Sequence, residues 1–256
     1  MALHIYYRHA PSRLLGQKLR PGWFSYRRCF ENLVGTVTNA LADGRVTLSF
    51  VFDGSDEDFR LDETCGAVAR LVQGRSVISG AVEIRFITGG DQRKAWKQAL
   101  AVVLDDVGRG HAAVNDYVYL LENDYVHVAD WLSKFDELAA SNIRWDYLTL
   151  YDHLDKYPDL TTAADAARYR NLKSKIFCTG THHWRTTPST CATYILPVKV
   201  LLRDRLLLEL GIADFRLFSI LGKARRRTLL SPIPSLATHS MTEFLAPAVN
   251  WEGCVK

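Results

Sequence analysis

The stretch Tyr117–Tyr125, YVYLLENDY, decides how this 256-residue chain is read. Five apolar or aromatic residues run unbroken and stop on Glu122, Asn123 and Asp124. A short apolar run bounded by polar residues suits a strand buried on both faces, as in a parallel sheet with helices on either side. In an extended chain residues two apart point the same way, so Glu122 and Asp124 present two carboxylates on one side of the strand's end. Hard divalent cations take oxygen ligands of this kind and share them with substrate phosphates. The plain alternative is that Asp124 caps a following helix while Glu122 stands in solvent beside it.

The flanking sequence supplies the rest of such a sheet. His4–Arg8, Val46–Phe52, Ala81–Ile87 and Tyr147–Leu150 read as strands from their β-branched and aromatic content. Apolar residues at helical spacing predict helices from Trp23 to Val37 and over Glu63–Gln73, Gln92–Val103, Val128–Ala140, Val198–Leu210 and Asp214–Leu221. A further helix is expected across Thr161–Tyr169, after a Tyr-Pro break. Lys175–Cys178 and Cys191–Leu196 read as two strands joined by the polar Thr179–Thr190. Pro11–Pro21 is basic and reads as a surface loop, and the tail from Leu229 is punctuated by proline. Strand and helix alternate through the first half, which calls for an α/β fold with a central, mostly parallel sheet flanked by helices. Ligands of such sheets bind at the carboxyl ends of the strands, where Asp53 and Glu122–Asp124 both fall.

Composition narrows the function classes. Hydrophobic content of 48%, charged content of 23% and a net charge of +4 are those of an ordinary soluble globular protein. A nucleic-acid partner would bring a stronger or more clustered basic excess, so none is expected. No apolar run reaches a membrane span and the opening MALHIYYRHA turns polar at once, so the expected location is cytoplasmic. The five cysteines (Cys29, Cys65, Cys178, Cys191, Cys254) include no CxxC and read as reduced thiols. KARRR at Lys223–Arg227 reads as a solvated helix end. Its Lys223, Arg225, Arg226 and Arg227 also suit peripheral contact with an anionic membrane or a phosphorylated acceptor.

Two acid-bearing strand ends with a Gly89-Gly90-Asp91 turn between them suit a nucleotide-diphosphate ligand. Asp53, in FDGSD, accepts from a base or ribose or else serves the turn, and Asp124 holds a cation that bridges the phosphates. Gly90 and Asp91 join the donor contacts, although their spacing is neither a P-loop nor a dinucleotide fingerprint. THHWRTTPST (Thr181–Thr190) is the densest polar cluster. His182 and His183 are adjacent and cannot both face one ion in an extended strand. Arg185 suits a phosphate or sugar oxygen, and Trp184 either offers a flat face to a sugar ring or is buried. Asp152, after the Tyr147–Leu150 strand, is assigned with Trp184 to an acceptor. His239, in PSLATH, reads by itself as an isolated histidine.

In order, these signals resemble glycosyltransferases of the GT-A type, closest to family 2-like enzymes. The resemblance covers most of the chain and implies one GT-A domain, with a nucleotide-binding half over 1–125 and an acceptor-binding half over 126–256. Asp53 matches the family's base-contacting aspartate, and Glu122-Asn123-Asp124 its acidic D-x-D-type motif. Asp214, in GIADFRLF, matches the catalytic aspartate of its E-D-type motif, and His239 its C-terminal metal-ligating histidine. Asn123 stands where an acid is common and is given no role; Ala213 stands where the family usually has Glu. The implied activity is transfer of a sugar from a nucleotide-sugar donor to a glycan or lipid-linked acceptor, with inversion, in surface-polysaccharide or glycan synthesis. Mn2+ or Mg2+ held by Asp124 and His239 would be the cofactor, Asp214 the general base, and Glu122 a contact to the donor's ribose or a metal-bound water. The competing readings are a sugar nucleotidyltransferase, against which the loop holding Arg13, Gly16, Lys18 and Arg20 lacks a dense glycine pattern, and a non-catalytic carbohydrate-binding protein on the same fold.

Overall fold

The structure, a computed structural model, describes residues 1–11, 18–74, 78–162 and 167–255. Along the chain lie β1 (Leu3–His9), α1 (Tyr26–Ala42), β2 (Val46–Asp53), α2 (Asp56–Leu61), α3 (Glu63–Gln73), β3 (Val82–Ile87), α4 (Gln92–Gly108), β4 (Tyr117–Glu122) and β5 (Tyr125–His127). There follow α5 (Trp131–Ala140), β6 (Tyr147–Leu148), β7 (Ile176–Cys178), β8 (His183–Thr186), β9 (Tyr194–Pro197), α6 (Val198–Leu208), α7 (Asp214–Lys223), β10 (Leu229–Ile233) and β11 (Ala237–His239). The chain divides into two compact units of interleaved segments rather than into an N-terminal and a C-terminal half. Unit 1 comprises Met1–Gln17, Val37–Asn123 and Cys191–Ile220, and unit 2 Lys18–Thr36, Asp124–Thr190 and Leu221–Lys256.

In unit 1 the strands run in the order β3-β2-β1-β4-β9, all parallel except β9, which is antiparallel to β4. The near-continuous apolar runs explain this: seven of the eight residues of β2 are buried, as strands covered on both faces require. Each fully buried Phe or Leu there contributes about 1.5–3 kcal/mol. The turns into the helices carry their own caps. Asp62 accepts from the N–H groups of Thr64 and Cys65 to start α3, Asp91 accepts from Lys94 to start α4, and Ser55 and Asp58 form a reciprocal capping box on α2. The chain winds outward from β1 through β2 to β3, then returns to place β4 on the other side of β1. The strand order therefore reverses between β1 and β4, and a crevice outside the carboxyl ends of that pair is where a ligand of such a sheet binds.

Unit 2 pairs β6 with β10 in parallel, β10 with β8 and β8 with β7 antiparallel, and forms a separate antiparallel ribbon from β5 and β11. On α5 the apolar stripe Trp131, Leu132, Phe135 and Leu138 is buried. Several elements differ from expectation. The polar Thr179–Thr190 contains a strand, β8, and the proline-punctuated tail forms β10 and β11. After β4 the chain turns at Asn123 and Asp124 directly into β5, so Asp124 caps no helix. Of the basic loop Pro11–Pro21, residues 12–17, with Arg13 and Gly16, lie outside the described residues. So do residues 163–166 of the helix expected over Thr161–Tyr169, whose described residues 167–169 are helical. Among the described residues no helix is long and apolar enough to cross a membrane.

Candidate functional site

The register of β1 against β4 sets Arg8 opposite Glu122 at the carboxyl ends of the two strands. Arg8 donates to Glu122 Oε1 at 2.6 Å, while its Nη1 is buried without a hydrogen-bond partner among the described residues. An orphaned guanidinium donor is costly unless a ligand oxygen completes it. Arg8 borders a cleft of about 470 Å³ in unit 1, whose walls include Arg93, Trp96, Ile212, Asp214 and Leu217. The guanidinium lies 5.8 Å from the centre of the Trp96 ring. Asp214 opens α7 at the edge of this cleft. Burial, and then the Glu122 charge, push its carboxyl up to about 7, against the opposing pull of Arg8 and of a hydrogen bond from the Ala192 main chain. A carboxyl that exchanges its proton near neutral pH beside a cleft can serve as a general acid or base.

In unit 2 the antiparallel register pairs His239 of β11 with Tyr125 of β5, the residue after Asp124. The His239 ring stacks on Tyr125, with centres 5.3 Å apart, and its Nε2 lies 2.9 Å from Asp124 Oδ2. The same oxygen accepts from Arg20 at 2.8 Å and from Lys18 at 3.4 Å. Arg20 is itself held by the Ser240 carbonyl at 2.7 Å and packs over the Phe24 ring at 4.4 Å. Burial by itself would raise the Asp124 pKa, but His239, Lys18 and Arg20 outweigh it and keep the carboxylate well below its usual range. One carboxylate oxygen and one imidazole nitrogen suit a manganese- or magnesium-type ion that takes its remaining ligands from phosphate and water. The adjoining cations suit the phosphate itself. The donor chemistry therefore fits the group that the resemblance implies.

Glu122 and Asp124 do not share one strand face. β4 stops at Glu122 and the next two residues turn, so the alternation of an extended chain ends two residues short of Asp124. Asn123, given no role from the sequence, is buried; its side-chain amide meets His9 Nδ1 at 2.8 Å and its carbonyl accepts from the Tyr7 hydroxyl at 3.0 Å. His9 Nε2 lies 3.0 Å from Asp62 Oδ1, and Cys65 adjoins both. Asp62 also caps α3, so this trio ties β1 and the β4 turn to the start of that helix.

Asp53 is spent on the turn. Its carboxylate accepts from the Gly89 N–H at 2.7 Å and from Gly90 at 3.3 Å. Gly90 has a φ of +70°, and a Cβ on Gly89 would sit 2.5 Å from the Ala95 backbone, so each glycine is there for its own steric reason. Asp91 caps α4 and is exposed. In unit 2, Trp184 is fully buried and donates to Thr179 Oγ1 at 3.2 Å, which leaves no face for a sugar. Arg185 binds the buried Asp152 at 2.5 Å, and Tyr157 and Ser231 also donate to that carboxylate. Trp184, Arg185 and Asp152 thus belong to the interior of unit 2. The sequence reading passed over Arg8, Trp96, Lys18 and Arg20. A charged residue ending an apolar strand, as in HIYYRH, is the one signal that pointed to Arg8.

No protein-family model matches the chain, and no curated protein matches it. Among solved structures, a 4-diphosphocytidyl-2C-methyl-D-erythritol synthase is similar over 98% of this chain and 95% of that chain, at 13% identity and a TM-score of 0.47. Mouse xyloside xylosyltransferase 1, in its apo form, is similar over 90% of this chain and 84% of that one, at 10% identity and a TM-score of 0.39. Likeness of this depth assigns no activity, and the roles below rest on geometry.

Proposed function

We propose that the chain is a glycosyltransferase that takes its sugar from a nucleotide-activated donor, with Asp214 as general base. The observation that carries this reading is the unit 1 cleft, where a carboxyl with a pKa of about 7 and the Arg8 side chain border one opening. Ionised Asp214 takes the proton of an acceptor hydroxyl, and the oxygen forms a bond to the anomeric carbon. The bond from that carbon to the diphosphate breaks, the leaving oxygen keeps its electron pair, and a single displacement inverts the centre. Arg8 meets an oxygen of the bound ligand, and Glu122 keeps the guanidinium oriented. In unit 2, Asp124 and His239 would hold Mn2+ or Mg2+, which when bound supplies positive charge to a diphosphate. Lys18 and Arg20 attract the same anion through charge and hydrogen bonds.

Asp214→Asn is expected to abolish transfer and leave nucleotide binding nearly intact by calorimetry; full activity in that variant would remove Asp214 from the mechanism. Release of pyrophosphate from a nucleoside triphosphate and a sugar phosphate would instead identify a nucleotidyltransferase.

A further inference from the structure

Five of the twelve large apolar side chains that stand exposed among the described residues fall within one short stretch of unit 1: Leu202, Leu206, Leu210, Phe215 and Ile220. Leu206 is 78% exposed. On α6, Leu202 and Leu206 stand four residues apart, and Leu210 follows four further on, just past the helix end, so helical spacing draws a stripe. Lys199 and Arg203, both exposed, fall along the same stripe. The inner side of α6, with Val200, Leu201, Asp204 and Leu208, is buried. The outer leucines are therefore a second apolar face, additional to the one that packs the helix. Phe215, Arg216 and Ile220 repeat the mixture on α7.

The exposed charge on this stretch is net positive. Lys199, Arg203, Arg205 and Arg216 are exposed, whereas Asp204 is buried, Asp214 lies at the cleft, and Glu209 is bonded by Arg205 at 2.7 Å. Leucines that enter the acyl boundary beside cations that meet phosphates are the composition of a helix lying in a membrane interface. Apolar exposure along one helix face marks a contact surface, and the net positive charge beside it selects an anionic one.

We infer that the outer face of α6 docks on an anionic lipid surface. Docking does not depend on the glycosyltransferase reading.

The test is co-sedimentation of the full chain with vesicles of phosphatidylcholine alone and of phosphatidylcholine with phosphatidylserine. The wild-type chain is expected to pellet with the serine-lipid vesicles, and less so as salt is raised. Leu202→Ser with Leu206→Ser should release it to the supernatant. Lys199→Gln with Arg203→Gln should weaken partitioning on the order of 25-fold, at about five-fold for each base lost. These positions are exposed, so unchanged circular dichroism and melting temperature are expected in both variants. A wild-type chain that stays in solution with both vesicle types would overturn the inference, as would variants that pellet like wild type. Light scattering adds a third outcome: a dimer without lipid that Leu202→Ser with Leu206→Ser returns to monomer would make this face a contact between copies and would also overturn it.

Discussion

Asp214 and Asp124 are carboxylates whose surroundings drive them in opposite directions. Asp214 titrates near 7 because burial and Glu122 favour its protonated form, so a reaction that needs the base should gain kcat/KM as pH rises through about 7. The folded pKa lies above the unfolded value of about 3.9. The native state therefore holds an extra proton between roughly pH 4 and 7, and stability falls as pH rises across that window. Asp214→Asn should gain stability on wild type through the same window in urea titrations, with no difference below it. Asp124 has its pKa lowered, so its contribution is present above the unfolded value and fades as pH falls below about 4. Asp124→Ala leaves Arg20 and His239 without their buried partner and should cost about 3 kcal/mol at neutral pH. It should also lose manganese-dependent donor binding by calorimetry. The resemblance gave Asp124 and His239 one role, and the structure sets them 2.9 Å apart. Arg20 and Lys18 were not legible, because two cations in a basic loop look the same whether they face solvent or a carboxylate more than a hundred residues away.

At the scale of elements, apolar runs and β-branched or aromatic content made β1 to β4 legible, and periodicity did the same for the helices between them. β8, β10 and β11 were not. β8 hides in a polar run, and Pro232 and Pro234 argue against a strand, yet Pro232 stands in β10 opposite Trp184. That pairing also explains why Trp184 is core. Trp184→Phe should lower stability by about 1.5 kcal/mol and leave acceptor KM unchanged, whereas a sugar platform would show the reverse in steady-state kinetics. The turn after β3 is stricter. Gly89→Ala drives a methyl against the Ala95 backbone and should cost more than about 2 kcal/mol in urea denaturation. Gly90→Ala meets nothing within 4 Å and should cost only the left-handed penalty of about 1 kcal/mol.

For the molecule as a whole, the expected halves at residue 125 gave way to interleaved units because strand order does not follow chain order. β9, from the second half of the sequence, completes the sheet of unit 1. No local pattern encodes that return. A ligand that binds only the native state raises its melting temperature, by the equivalent of about 2.7 kcal/mol at a hundred times Kd. A thermal-shift panel of nucleotide sugars should thus find a donor whose shift needs manganese in wild type and is lost, with or without manganese, in His239→Ala. A shift indifferent to manganese in wild type would remove the ion from the reading.

The pairing of Asp124 with His239 also has a timetable. The two residues are 115 positions apart, which at ribosomal rates of about 5–20 residues per second separates their appearance by roughly 6 to 23 s. Lys18 and Arg20 are already made when Asp124 emerges. The carboxylate therefore meets its cations first and its imidazole last, and a chain halted before β11 carries the acidic corner without the ring that completes it.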